Sequence, residues 1–124
     1  MIIKMKQRRN PLQPLAPRKY YAARVYAGKV TQKDISDEIV GRTSLARGDV
    51  INSIESLLDT IPSHLLAGKS VHLGALGSFR LSFSSEGVDS PEDFRRDMIS
   101  RIRVIFKPSV ELRERIGKLK VEVV

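Results

Sequence analysis

The sequence predicts an α+β fold: a helix pair, then an antiparallel β-sheet and a C-terminal helix, with extra strands at both ends. Three observations carry this. Val50, Ile54, Leu57, Leu58 and Ile61 recur at helical spacing. Phe79, Leu81 and Phe83, and later Ile102, Val104 and Phe106, alternate with other residues at the period of a half-buried strand. Pro108-Ser109 then ends the second of these runs and opens a short segment with Val110, Leu112 and Ile116 on one helical face.

Taken in order, Ile2, Ile3 and Met5 set against Lys4 and Lys6 give a short strand. Pro11, Pro14 and Pro17 exclude helix and central strand. Tyr20 to Val25 reads as a second short strand. Thr31-x-x-Asp34 is an N-terminal helix cap, Ile35, Ile39 and Val40 mark one helical face, and Gly41 is the stop signal. Ser44 to Asp49 opens the second helix; Pro62 should bend or interrupt it, with a last turn through Leu66 still open, and Ala67-Gly68-Lys69 ends it. Val71, Leu73 and Ala75 then alternate as a strand, and Gly74 and Gly77 bracket a tight turn. Ser90-Pro91-Glu92-Asp93 carries an N-cap, a Pro at the first helical position and acids in the first turn, so one or two helical turns are expected there. Gly117 stops the last helix, and Leu119, Val121 and Val123 alternate as a final strand. Each end strand otherwise lacks a partner, so the two are expected to pair.

The chain has 124 residues and reads as residues 1–30, a basic extended segment, followed by one domain over 31–124. There is no cysteine, which excludes disulfides and thiolate metal sites. No apolar run reaches the about 18 residues of a membrane span, and Met1 to Asn10 has no apolar signal core, so no membrane partner is expected and the location is expected to be cytoplasmic. The net charge is +8, and it is unevenly placed: residues 1–30 carry eight Lys/Arg and no acid, while the remainder is nearly balanced. An unopposed basic segment suits a polyanionic partner.

Catalysis has no support. His64 and His72 lack a third ligand or carboxylate at metal spacing, Gly74-x-x-Gly77 is a hairpin turn rather than a phosphate loop, and no serine sits in a nucleophile-elbow pattern. No cofactor and no small-molecule substrate are expected.

Three stretches, in this order, resemble the HU/IHF family of bacterial histone-like, nucleoid-associated DNA-bending proteins. Thr31 to Leu66 is similar to the family's opening helix pair. Gly68 to Phe79 is similar to the segment ending in a Gly-x-Gly-[Thr/Ser/Asn]-Phe turn, with Ala75 in place of the first Gly and Leu76 in place of the middle aromatic. Phe106-Lys107-Pro108-Ser109 to Ile116 is similar to the last strand and C-terminal helix in their IHF form. The resemblance implies an intertwined homodimer whose β-arms reach around double-stranded DNA, with Lys/Arg on phosphates and a proline wedged between base steps.

The chain departs from that pattern twice. The arm tip, Arg-Asn-Pro-x-Thr-Gly in the family, is here Ser85 to Phe94; Asp89, Glu92 and Asp93 crowd Pro91, so the wedge role is not carried over. Ser82 and Ser84 stand where the family often has arginines. Residues 1–30 are an extension like that of HU-related variants with a preceding basic, proline-containing strand. Arg9-Asn10-Pro11 echoes the missing tip motif there, and outside a hairpin arm the echo is read as coincidence.

The expected DNA-contact residues follow. Arg80, opposite in phase to Phe79 and Leu81, and Arg101, Arg103 and Lys107, opposite in phase to Ile102, Val104 and Phe106, should form a basic stripe on the outer sheet face. Arg8, Arg9, Arg18 and Lys19 should form an electrostatic arm. Arg95 and Arg96 are expected to pair with Glu92 and Asp93. Phe79, Phe83, Phe106 and Leu76 are assigned to the core, and Tyr20 and Tyr21 to packing against the helices. The function expected is architectural, non-enzymatic DNA binding with low sequence specificity; the alternative is an HU-fold structural or protein-interaction dimer that has lost DNA bending.

Overall fold

A computed structural model describes residues 1–124. It contains β1 (Ile2–Arg8), β2 (Lys19–Arg24), α1 (Gln32–Arg42), α2 (Arg47–Leu66), β3 (Val71–His72), β4 (Gly77–Ser85), β5 (Ile99–Pro108), α3 (Val110–Gly117) and β6 (Glu122–Val123). Two short 3-10 turns, Pro91–Asp93 and Arg96–Met98, lie between β4 and β5. The strands form two three-stranded sheets, ordered β2-β1-β6 and β3-β4-β5. No helix is long and apolar enough to cross a membrane.

Local chemistry explains most boundaries. The Thr31 hydroxyl accepts from the Asp34 N–H and the Asp34 carboxylate accepts from the Thr31 N–H at 2.9 Å, a full capping box that starts α1. Gly41 does not stop α1, which runs to Arg42 and ends at Thr43, whose hydroxyl donates to the Ile39 carbonyl oxygen at 2.8 Å. The second helix starts at Arg47, and its cap residue Ala46 has no side-chain bond to offer. Pro62 does not interrupt α2. Gly68, at φ +84°, turns the chain away from α2 in the left-handed conformation that glycine adopts freely.

The third strand is shorter than its alternation suggests. Leu73 already belongs to the turn: its N–H donates to the Gly77 carbonyl oxygen at 2.8 Å, and the Leu76 N–H donates to the Leu73 carbonyl oxygen at 3.0 Å. Ser109 fixes the far end of this sheet. Its hydroxyl accepts from the Leu112 N–H at 3.0 Å to cap α3, and donates to the carbonyl oxygen of Ala75. The turn before β4 and the start of α3 are thereby held together.

The expected pairing of the end strands is present. Ile2 and Ile3 of β1 pair in parallel with Glu122 and Val123 of β6, and the Met1 ammonium donates to the Lys120 carbonyl oxygen at 3.0 Å. The C-terminal strand therefore completes the sheet built by the first 24 residues.

The helices pack across each other and α2 reaches β3 and β4. Between α1 and α2, Gln32 donates to Glu55 at 2.7 Å and Arg47 bonds Asp37. Ser36 is buried where the helices meet and donates its hydroxyl to the Gln32 carbonyl oxygen at 2.9 Å. The core ends almost there: four of 124 residues are buried, among them Val50 and Leu65. Ile51, Leu57 and Leu58 on α2 and Phe83, Ile102, Val104 and Phe106 on the sheet are exposed. A domain of this length needs a far larger buried apolar area to offset its conformational entropy.

Candidate functional site

The β4–β5 ladder sorts its side chains by face. Phe79 lies opposite Phe106 and Leu81 opposite Val104, and these four share one face. The Phe79 and Phe106 rings are 4.9 Å apart. The outer face carries Ser78 opposite Lys107, Arg80 opposite Ile105, and Ser82 opposite Arg103. Arg80, Arg103 and Lys107 thus stand together on one surface, all exposed, with no acid between them and none in an ion pair.

Arg101 does not join them. The register slips between Ser82 and Ser84: Ser82 faces Arg103, whereas Ser84 faces Ser100. Two residues, Arg101 and Ile102, therefore stand against the single residue Phe83, and Arg101 takes φ 55°. The outer row of β5 runs Lys107, Ile105, Arg103, Ser100 and skips Arg101. Simple alternation put Arg101 in the stripe because a bulge leaves no mark on the spacing of the apolar residues. Ile105 also interrupts the stripe.

The core assignments need correcting. Phe79 is half-buried, but Phe83, at 61%, and Phe106 and Leu76 are exposed in the single chain. Tyr20 and Tyr21 do not pack against the helices; they are 65% and 47% exposed, on the β1–β2 hairpin.

That hairpin holds the other expected contact residues. Arg8 is paired with Lys19 at the last rung, and Arg9 and Arg18 flank the turn. The turn is folded: the Leu12 N–H donates to Asn10 Oδ1 at 3.0 Å, the Gln13 N–H to the Asn10 carbonyl oxygen at 3.1 Å, and the Ala16 N–H to the Gln13 carbonyl oxygen at 3.0 Å. Arg9-Asn10-Pro11 therefore sits at the tip of an antiparallel hairpin, not outside one. Sequence reasoning missed Lys4, Lys6 and Tyr21, which share a face with Arg8 and Lys19. The signal was present: Lys4, Lys6 and Arg8 alternate with Ile3, Met5 and Gln7, and Tyr21 follows Lys19 by two.

The segment where an arm tip would lie is anionic. The Ser90 hydroxyl bonds Glu92 and holds its carboxyl below the usual carboxylate range. Arg95 bonds Asp97 at 3.3 Å, not Glu92 or Asp93, and Arg96 has no acidic partner. His72 Nε2 lies 3.1 Å from Ser70 Oγ.

Comparisons with known proteins agree with this architecture. The family model described as an HU domain fused to a winged helix-turn-helix, Ig or glycine-rich motif matches residues 1–123. Integration host factor subunit alpha of Acinetobacter baumannii is 30% identical over 95 residues, covering 75% of this chain and 97% of that protein. The same subunit of Dinoroseobacter shibae is 28% identical over 90 residues, covering 71% and 89%. A candidate DNA-binding protein from Bacteroides vulgatus shares the fold over 99% of this chain, with TM-score 0.63 and 20% identity; the chain spans 48% of that structure's length. A point mutant of HU from Thermotoga maritima shares the fold over 70% of this chain and 99% of its own, with TM-score 0.52 and 21% identity.

Proposed function

The chain belongs to the HU/IHF-like family, with the HU domains that occur fused to winged helix-turn-helix, Ig or glycine-rich motifs, and from that premise we infer that it is a homodimeric, non-enzymatic architectural protein of the bacterial nucleoid, in the cytoplasm, which holds double-stranded DNA by its phosphates with low sequence specificity. The observation that carries this reading is the outer face of β4–β5, where Arg80, Arg103 and Lys107 stand together free of acids. Exposed cations with no acid beside them attract phosphates, and phosphate contacts read no base edges. The cations of the first hairpin, Arg8, Arg9, Arg18 and Lys19, extend the field toward the same polyanion.

The dimer follows from energetics. Two sets of apolar side chains that no single chain covers, the exposed Ile51, Leu57 and Leu58 of α2 and the apolar face of β5, are suited to a second copy. Burying them in a homodimer supplies the core the monomer lacks.

The segment 86–97 carries Glu86, Asp89, Glu92, Asp93 and Asp97 against Arg95 and Arg96. Carboxylates beside Pro91 repel phosphates, so binding runs through the sheet face without a wedge at that proline. A salt titration of binding to linear and to pre-bent duplex tests the reading. Equal, steeply salt-dependent affinities are expected. The absence of any complex at micromolar protein and low salt contradicts DNA binding, and a strong preference for the bent duplex contradicts the missing wedge.

A further inference from the structure

The β1–β2 hairpin divides its chemistry between two faces. Ile3, Met5, Gln7, Tyr20, Ala22 and Arg24 form one; Lys4, Lys6, Arg8, Lys19, Tyr21 and Ala23 form the other. On the second face, Tyr21 lies directly opposite Lys6, and the Arg8–Lys19 rung lies next to that pair. The folded turn closes over this end and makes two adjoining concavities. One, of 320 Å³, is lined by Arg8, Arg9, Asn10, Pro11 and Tyr21. The other, of 80 Å³, shares Arg8, Asn10 and Tyr21 and adds Lys19.

Three facts single out this end. Tyr21, 47% exposed, lines both cavities, beside Arg8 and Arg9 in one and beside Arg8 and Lys19 in the other. No acid occurs in the first 30 residues, and none of these cations is in an ion pair. The acid that β6 brings to the sheet, Glu122, pairs with Ile2 at the opposite end of β1. A surface that served only solubility or edge protection needs cations but no ring set among them.

A duplex offers this arrangement phosphates but no base face, because its bases are stacked inside. An unpaired nucleotide offers both. We propose that the tip of the β1–β2 hairpin is a second nucleic-acid site that takes a single strand, with the base stacked on Tyr21 and the flanking phosphates held by Arg8, Arg9 and Lys19. This site is separate from the outer face of β4–β5; its cations also attract a duplex, and Tyr21 is what sets the single strand apart.

The test uses the full-length chain carrying Arg80→Ala, Arg103→Ala and Lys107→Ala, so that the outer face is silent. Fluorescence anisotropy follows short labelled oligothymidylate, oligouridylate and a duplex of equal length. In this background the single strand of at least one sugar type is expected to bind, and the tighter of the two identifies the sugar. Adding Tyr21→Ala should weaken that binding about 5- to 100-fold while moving duplex affinity less than about twofold, and Tyr21→Phe should restore it. Single-strand affinity that ignores Tyr21→Ala, or that falls no more than duplex affinity does, overturns the proposal, as does failure to bind either oligonucleotide. A photocrosslink from a bromouracil-substituted oligonucleotide to the chain with an intact Tyr21 needs no hairpin variant. An adduct on Tyr21 is expected, and adducts confined to other elements overturn it.

Discussion

Gly77 lies against the carbonyl oxygen of Lys107, so close that a Cβ added to Gly77 would stand 2.2 Å from that oxygen and 2.8 Å from the Phe106 ring. Gly77 also takes φ +145°, where side chains other than hydrogen are strained. The close approach locks the turn before β4 onto the end of β5. Gly77→Ala should therefore cost about 3 kcal/mol or more. Gly41, inside α1 with open space around it, is the control: Gly41→Ala should be neutral or stabilising by up to about 1 kcal/mol. Denaturant unfolding of both variants at one protein concentration checks the opposite signs.

Arg101 separates a structural role from a binding one. At φ 55° it carries a backbone cost that glycine avoids, and it stands outside the cationic row. Arg101→Gly should be neutral or stabilising by up to about 1 kcal/mol, and should weaken duplex binding less than Arg103→Ala does. Thermal melts and anisotropy on the two variants decide this. Equal losses of affinity would return Arg101 to the binding row.

The apolar face of α2 predicts that folding and dimerisation are one process. Leu57 and Leu58 are 46% and 51% exposed in the single chain. Leu58→Asp should cost at least about 3 kcal/mol of dimer stability, because the seam would bury an unpaired carboxylate. Sedimentation equilibrium should show the wild-type chain as a dimer, and its melting temperature should rise with concentration. A monomer with an unchanged, concentration-independent melt contradicts the seam.

Acid should loosen the helix pair. The Thr31 N–H and hydroxyl both donate to Asp34, and Arg47 and Lys33 both bond Asp37, so both carboxyls are held below the usual 3.8. A depressed pKa contributes stability that is complete above the unfolded value and is lost as pH falls through the folded one. Unfolding midpoints should therefore be flat near neutrality and decline below about pH 4, where the unfolded carboxyls begin to bind protons first. Asp34→Asn and Asp37→Asn should each flatten part of that decline. Thr31→Ala should cost about 1 kcal/mol at neutral pH through the lost cap.

The helices, the β4–β5 ladder and the pairing of the termini were legible because each rests on a local pattern or a missing partner. Val50 and Leu58 declare a helix by spacing, and Phe79 and Phe106 declare strands by alternation. What escaped was long-range or register-dependent. The bulge at Arg101 is set by how β4 and β5 align, and alternation within β5 cannot reveal it. The proline-containing turn after Arg9 hid a hairpin because prolines argue against a strand and say nothing of the two strands flanking them. Core membership of Phe83, Phe106 and Leu76 was judged by residue type, whereas in one chain their coverage depends on surfaces that no part of that chain supplies.

The central claim is that Arg80, Arg103 and Lys107 hold duplex phosphates in a homodimer, and the slope of log affinity against log salt for the wild type and the triple alanine variant tests it most directly. Each phosphate contact contributes a slope of about −0.9, so removing six side chains from the dimer should make the slope shallower by up to about 5 and lower affinity at low salt. An unchanged slope with unchanged affinity would contradict the account.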